Sequence, residues 1–309
     1  MLHRFAIFVA GCTVLLVLAG SLVTSTGSGL SVPDWPTSYG WNMFTFPPSK
    51  WVGGIFFEHG HRLIASTVGF LTIILAAWLW RSDSRGWMKK LGFTALGAVV
   101  AQGLLGGLTV LFFLPTVIST AHAALAEIFF CMTVAIALFT SRGWMESRGT
   151  VDDRWLRRVA TTTTGLIYLQ IVVGATMRHS GAGLAIPDFP LMFGGLVPDH
   201  WDSQIAIHFA HRVGASIVTM AVAATVLHVW WHHRGNKALT RPALLITALV
   251  LVQITLGAST VLSRLNVAIN SAHVVFGALV LTTSLVITLR SWRVAFDRMP
   301  RRAGAEIAA

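Results

Sequence analysis

The sequence predicts an all-α polytopic membrane protein, with eight transmembrane helices forming two duplicated four-helix bundles related by a pseudo-twofold axis along the membrane normal. Three observations carry this expectation. Apolar runs of about 20 residues, the length that crosses a bilayer core, recur along the chain. Of the 309 residues, 54% are hydrophobic and only 11% charged, and the mean hydropathy is +0.69. Motifs of the first half return in the second half, in the same order and at nearly one offset, as duplication requires.

The eight runs fall at roughly 5–24, 60–80, 91–113, 117–140, 158–178, 205–231, 242–262 and 269–290. The formal charge of +11 is distributed by topology. Alternate connections, with the two termini, hold 18 of the 23 Lys and Arg, while the opposite side holds Lys50, Arg178 and Arg264. The positive-inside rule therefore places both termini in the cytoplasm and excludes nucleic acid as the partner of the basic charge. The first run has an internal counterpart near 158–178, so it reads as a span and not as a cleaved signal. Cys12 and Cys131 lie inside runs and read as small buried residues.

The first run leaves through Gly29-Leu30-Ser31-Val32-Pro33-Asp34-Trp35-Pro36, and the fifth through Gly183-Leu184-Ala185-Ile186-Pro187-Asp188-Phe189-Pro190. The two prolines before aspartate, Pro33 and Pro187, are 154 positions apart. Three more pairs follow: His61-Arg62 with His211-Arg212, Gln102 with Gln253, and His122 with His273, offset by 150 or 151. Four spans per half is an even number, so the halves keep one orientation. The expected domains are a first half at 1–145, a second at 146–298, and a cytoplasmic tail at 299–309. The outer loops, about 24–57 and 178–204, are long enough to cap something. Trp35, Trp41, Trp51 and Trp201 read as anchors at the membrane interface. His179 and His200 have no matched partners and read as loop residues.

His61, His122, His211 and His273 each open a span, all on the predicted outer side. Ionisable groups at such positions are costly and point to function. Within each half, two imidazoles on different helices at one depth suit a six-coordinate haem iron. Small residues on the third and seventh runs (Gly103, Gly106, Gly107; Gly257, Ala258, Ser259) leave room for a flat ligand. Zinc fits less well, since it favours four ligands in one cluster. Arg62 and Arg212 are candidate partners of haem propionates, against simple snorkelling at a helix end. Glu58 aligns with His208, so only the first half has a carboxylate three residues before its histidine. That asymmetry suggests chemistry in the first site, with Glu58 in proton transfer, and electron movement in the second. Glu127 is a second intramembrane acid whose role the pattern leaves open.

Taken together, Glu58-x-x-His61-Arg62, His122, His211-Arg212, His273 and the duplicated four-span halves resemble the haem A synthase family. The resemblance covers nearly the whole chain. It implies an oxidoreductase of cytochrome oxidase biogenesis, in which the C8 methyl of haem O becomes the formyl of haem A through hydroxylated intermediates, with oxygen drawn from water. It implies that His61 and His122 ligate the substrate haem, that His211 and His273 ligate a haem b cofactor, and that Glu58 is catalytic. It further implies a bacterial cytoplasmic (inner) membrane, haem sites towards the outer side, an unidentified electron acceptor, and assembly partners such as a haem O synthase and a terminal oxidase. The outer-loop cysteine pair of some relatives is missing from this chain. Two rival readings remain: a quinol-linked di-haem b electron-transfer protein that does not modify haem, and a transporter built from duplicated bundles.

Overall fold

The computed structural model describes residues 1–146 and 151–293. Eight long helices are apolar enough to cross a membrane. They are α1 (Leu2–Ser25), α2 (Gly54–Ser82), α3 (Gly86–Leu111), α4 (Thr116–Phe139), α6 (Arg154–His179), α7 (Ser203–His233), α8 (Lys237–Leu262) and α9 (Val267–Ser291). A short helix, α5 (Arg142–Glu146), begins the connection that the sequence reads as a polar linker. The proposed tail at 299–309 lies outside the described residues. Large apolar side chains such as Phe70, Leu104, Leu244 and Met220 point outwards and are well exposed. Such a belt is stable only against lipid, and the chain is a multi-pass membrane protein.

Successive long helices alternate in direction, so the long connections 26–53 and 180–202 lie at one end, here called the loop end. Two apolar cores form. One gathers Val9, Val68, Leu75, Leu79, Phe129 and Ile136 from α1, α2 and α4. The other gathers Leu156, Ile167, Val222, Ile246 and Leu281 from α6 to α9. Helices α1 and α9 pack together across the middle, as do α4 and α6, and α4 also meets α9. Pro242 lacks the N–H that would bond the Ala238 carbonyl in α8. The Arg290 guanidinium of α9 donates to that carbonyl instead.

The Pro-Asp motifs fold the two loops alike. Asp34 accepts the backbone N–H groups of Tyr39 (2.7 Å) and Gly40 (2.8 Å). Asp188 accepts those of Phe193 and Gly194, both at 2.9 Å. Each carboxylate thereby braces a turn whose middle residues take positive φ: Tyr39 and Gly40 in one, Phe193 and Gly194 in the other. The Gly194 and Phe193 N–H groups hold the Asp188 carboxyl below the usual carboxylate range. Its brace therefore works above that range and is lost as pH falls through the lowered value.

Candidate functional site

The four histidines all stand near the starts of their helices at the loop end: His61 on α2, His122 on α4, His211 on α7 and His273 on α9. Each ring lies against a glycine of the preceding long helix. A Cβ at Gly20 would come within 3.0 Å of His61 Cε1, and one at Gly106 within 3.2 Å of His122 Cε1. For Gly174 and His211 the distance is 2.7 Å, and for Gly257 and His273 it is 3.1 Å. Only glycine allows these approaches without displacing the ring. Gly20 and Gly174 are 154 positions apart, the spacing of the two Pro-Asp motifs, and Gly106 and Gly257 are 151 apart. The seats on α1 and α6 carry no metal-binding chemistry, and a membrane helix holds many glycines. Only the matched offset could have singled them out.

The geometry suits a metal between imidazoles. The His211 and His273 ring centres are 6.5 Å apart, with the rings inclined at 73°. A metal–nitrogen bond of about 2 Å, with the ring centre about 1 Å beyond it, sets two axial rings about 6 Å apart. The Nδ1 atoms of His61, His122 and His273 are buried without a hydrogen-bond partner. Yet each of these residues is only half-buried as a whole, so the open edge of the ring lies away from Nδ1. An unmet buried nitrogen costs about 1–3 kcal/mol, and such a cost is tolerated mostly at functional sites. Donor chemistry and seating at both pairs, and the spacing of the His211–His273 pair, fit a bis-imidazole iron group.

Glutamines fix the helices that carry the rings. Gln102 Nε2 donates to the His122 carbonyl at 2.9 Å, and Gln170 Nε2 to the His211 carbonyl at 2.7 Å. The matched Gln253 lies 3.4 Å from His273 Nε2.

Arg62 and Arg212 are turned to the loops. Arg62 Nη1 donates to the carbonyls of Asp34 (2.7 Å) and Thr37 (3.0 Å), and Nη2 to the Val32 carbonyl (2.8 Å). Arg212 donates to the carbonyls of Ile186, Asp188 and Leu191. Both thus hold the loop that precedes their own helix, a role added to the propionate contact and the snorkelling between which the sequence left the choice.

Glu58 and His208 occupy equivalent places in this arrangement. Glu58 Oε2 accepts the Val32 N–H at 2.7 Å, and Oε1 accepts Arg62 Nη2 at 2.6 Å. His208 Nδ1 accepts the Ile186 N–H at 3.2 Å, and its Nε2 faces Arg212 Nε at 3.2 Å. The acid is 3% exposed, so its charge is matched inside the protein and not by water. His59, next to it, is fully buried between Phe46 and Trp51.

Three expectations need correction. Trp35 is not an interfacial anchor: its indole packs on α3, where a Cβ at Gly107 would fall 2.5 Å from the ring. Trp41 and Trp201 are exposed. Trp51 instead packs edge-on against His59. His179 is helical, the last residue of α6, and its carbonyl accepts Thr116 Oγ1 of α4. Arg178, beside it, donates to the Ser21 carbonyl (2.8 Å) and Ser25 Oγ (2.6 Å) of α1, and Ser25 bonds Ser271 of α9. The Arg178-His179 pair therefore ties the two helix groups together beside the histidines. An arginine on the charge-poor side was the only signal of it in the sequence. Glu127 is 4% exposed and one of its oxygens has no partner.

Eight spanning helices and two pairs of glycine-seated histidines at one end define an integral membrane protein with paired imidazole sites. The chain belongs to the cytochrome oxidase assembly protein family, whose model matches residues 3–285. It is similar to the "Heme A synthase" of Geobacillus kaustophilus, at 28% identity over 94% of this chain and 92% of the relative. The "Heme A synthase" of Symbiobacterium thermophilum is 32% identical over 87% and 89%. That of Shouchella clausii is 29% identical over 95% and 96%.

Proposed function

We propose that the chain is a haem A synthase, an oxidoreductase that converts haem O to haem A. The observation that carries this reading is the seating of four histidines, two per helix group, in a chain similar along nearly its whole length to proteins of that name. In the proposed reaction the C8 methyl and one water become a formyl, with release of four electrons and four protons, through hydroxylated intermediates of the substrate. The residues 1–145 form the substrate half and 146–298 the electron-transfer half. His61 and His122 hold haem O by its iron, and His211 and His273 hold haem b. When bound there, haem b would supply one-electron transfer chemistry. Electrons then leave to an acceptor that the chain itself does not identify.

The chain's own residues prepare the site. The loop from Val32 to Thr37 is gripped by Glu58 and Arg62 on either side of His61 in α2, and Trp35 packs on Gly107 of α3, next to the Gly106 seat of His122. Glu58 is the carboxylate one turn before His61 on α2, and it accepts a proton released as the methyl is oxidised. The His208 of the other half grips its own loop as Glu58 does, but brings no carboxylate. That difference favours the synthase over a di-haem electron-transfer protein, which has no use for an acid in one half alone. The bias of Lys and Arg supports cytoplasmic termini in a bacterial inner membrane, with the loop end and both sites outward. Haem O synthase and terminal oxidase are the matching supplier and recipient of the haem.

His211→Ala or His273→Ala is expected to deplete haem b in the purified protein, read by the absorbance spectrum and by extraction. Gly174→Ala should lower occupancy more mildly, because its Cβ would meet His211 Cε1 at 2.7 Å. Gly60→Ala, whose Cβ meets nothing within 4 Å, is the control. Unchanged haem b in His211→Ala and His273→Ala would remove both histidines as its ligands.

A further inference from the structure

We propose that Asp153, His228 and His233 form a binding site for a divalent transition metal of the zinc class, at the end of the bundle opposite the histidine pairs. The site is independent of the haem reaction. His228 and His233 lie on the last turns of α7, and Asp153 is the N-cap residue just before α6. Their ligand atoms all lie within 4.8 Å of one another. His228 Nε2 is 2.7 Å and His233 Nε2 2.8 Å from the same oxygen, Asp153 Oδ2. All three side chains are about one-fifth exposed or less, so an ion could enter from water and still be largely enclosed.

The carboxylate divides its work. Asp153 Oδ1 accepts the Leu156 N–H at 2.9 Å and caps α6, which needs only one oxygen. Oδ2 is left for the two imidazoles. Two imidazole nitrogens and a carboxylate oxygen are a donor set that zinc and its neighbours favour, with a water or a further ligand completing the shell. Zinc–nitrogen and zinc–oxygen bonds of about 2.0–2.2 Å at a tetrahedral angle set neighbouring ligand atoms roughly 3.3 Å apart. The two imidazoles need to withdraw from Oδ2 by about half an ångström, which small side-chain rotations supply. The last residue of α7 is one of the two, so little backbone resists the change. His232 stacks on His228 at 4.4 Å, with its Nδ1 against the His228 carbonyl, and buttresses that ring.

The alternative occupant of Oδ2 is a pair of imidazole N–H donors, in which case the cluster is only a helix cap. The two differ in what they bind. In the metal site the Nε2 lone pairs face the ion, whereas in the cap the Nε2 atoms carry protons donated to Asp153 Oδ2. Local charge limits the affinity: Arg154, Arg158 and Arg234 are near in sequence, although Arg157 is engaged by Asp152 at 2.7 Å. A metal here joins the start of α6 to the end of α7, so binding should also stabilise the fold.

The test is equilibrium dialysis of chelator-treated, tag-free protein in detergent against Zn²⁺, comparing wild type, His233→Ala, Asp153→Asn and His200→Ala. Asparagine caps a helix about as well as aspartate, so Asp153→Asn keeps α6 while removing the charged ligand. His200 is an exposed imidazole in the other loop and serves as control. Wild type and His200→Ala are expected to bind one equivalent more than the other two, or to bind it at least about tenfold more tightly. Zn²⁺ should raise the melting temperature of those two proteins alone. Equal stoichiometry and affinity in all four, with no differential shift in melting, would overturn the site and leave a hydrogen-bonded helix cap.

Discussion

His61→Ala and His122→Ala are each expected to abolish haem A formation while leaving haem b in the protein. Losing a direct iron ligand should reduce product by more than the roughly 10–100-fold typical of losing a supporting group. The fold should survive. Both rings have a buried Nδ1 with no partner, so removing the ring relieves an unmet polar cost of about 1–3 kcal/mol, which offsets part of the lost packing. The two apolar cores are largely separate, and His211 and His273 belong to the other helix group. Damage at the first pair should therefore not spread to the second. Pyridine haemochrome spectra and extracted haem together read both outcomes. Equal loss of haem from both halves would count against separate sites.

Glu58→Gln should leave both sites fillable and reduce conversion by at least about 10²-fold, the scale of a lost proton acceptor. The structure complicates this test in a useful way, because Glu58 also grips the loop. Glutamine keeps one oxygen for the Val32 N–H but turns an amide N–H₂ towards Arg62, which weakens the grip. Glu58→His keeps the loop grip without the carboxylate, because histidine at this place is what the other half uses: His208 accepts the Ile186 N–H and meets Arg212. If the reaction requires the carboxylate itself, Glu58→His keeps the loop ordered against limited proteolysis yet turns over as poorly as Glu58→Gln. Wild-type turnover in Glu58→His would show that an imidazole base with the loop grip is enough and that the carboxylate is not required.

The membrane helices were legible because crossing a bilayer imposes a length and a composition that ordinary folding does not. All eight predicted runs lie on the eight long helices, and the differences are at the ends. Helix α2 begins at Gly54, six residues before the predicted run, because Glu58, His59 and Arg62 are buried against the loop and need no apolar character. The paired histidines stood out for the same reason: ionisable groups at span ends demand explanation. What they rest on did not, since Gly20 and Gly174 act only through an absent Cβ. The Pro-Asp motifs announced a shared loop path but not its grip, which depends on carbonyls that every residue has. Trp35 was misread because aromatic residues near a membrane boundary usually anchor there. Its contact with Gly107 arises from tertiary packing, which no local pattern encodes. The proposed boundary between the halves, at 145 and 146, lies next to residues 147–150, outside the described residues.

The proposed activity is oxidation of a haem, not merely the holding of one. The direct measurement is chromatography of haems extracted from the purified protein after co-expression with a source of haem O. The expected result is haem b together with haem A or a hydroxylated haem O derivative, the oxidised species being absent from the His61→Ala preparation. Haem b alone, with haem O demonstrably present in the membranes, would contradict it and favour a di-haem electron-transfer protein.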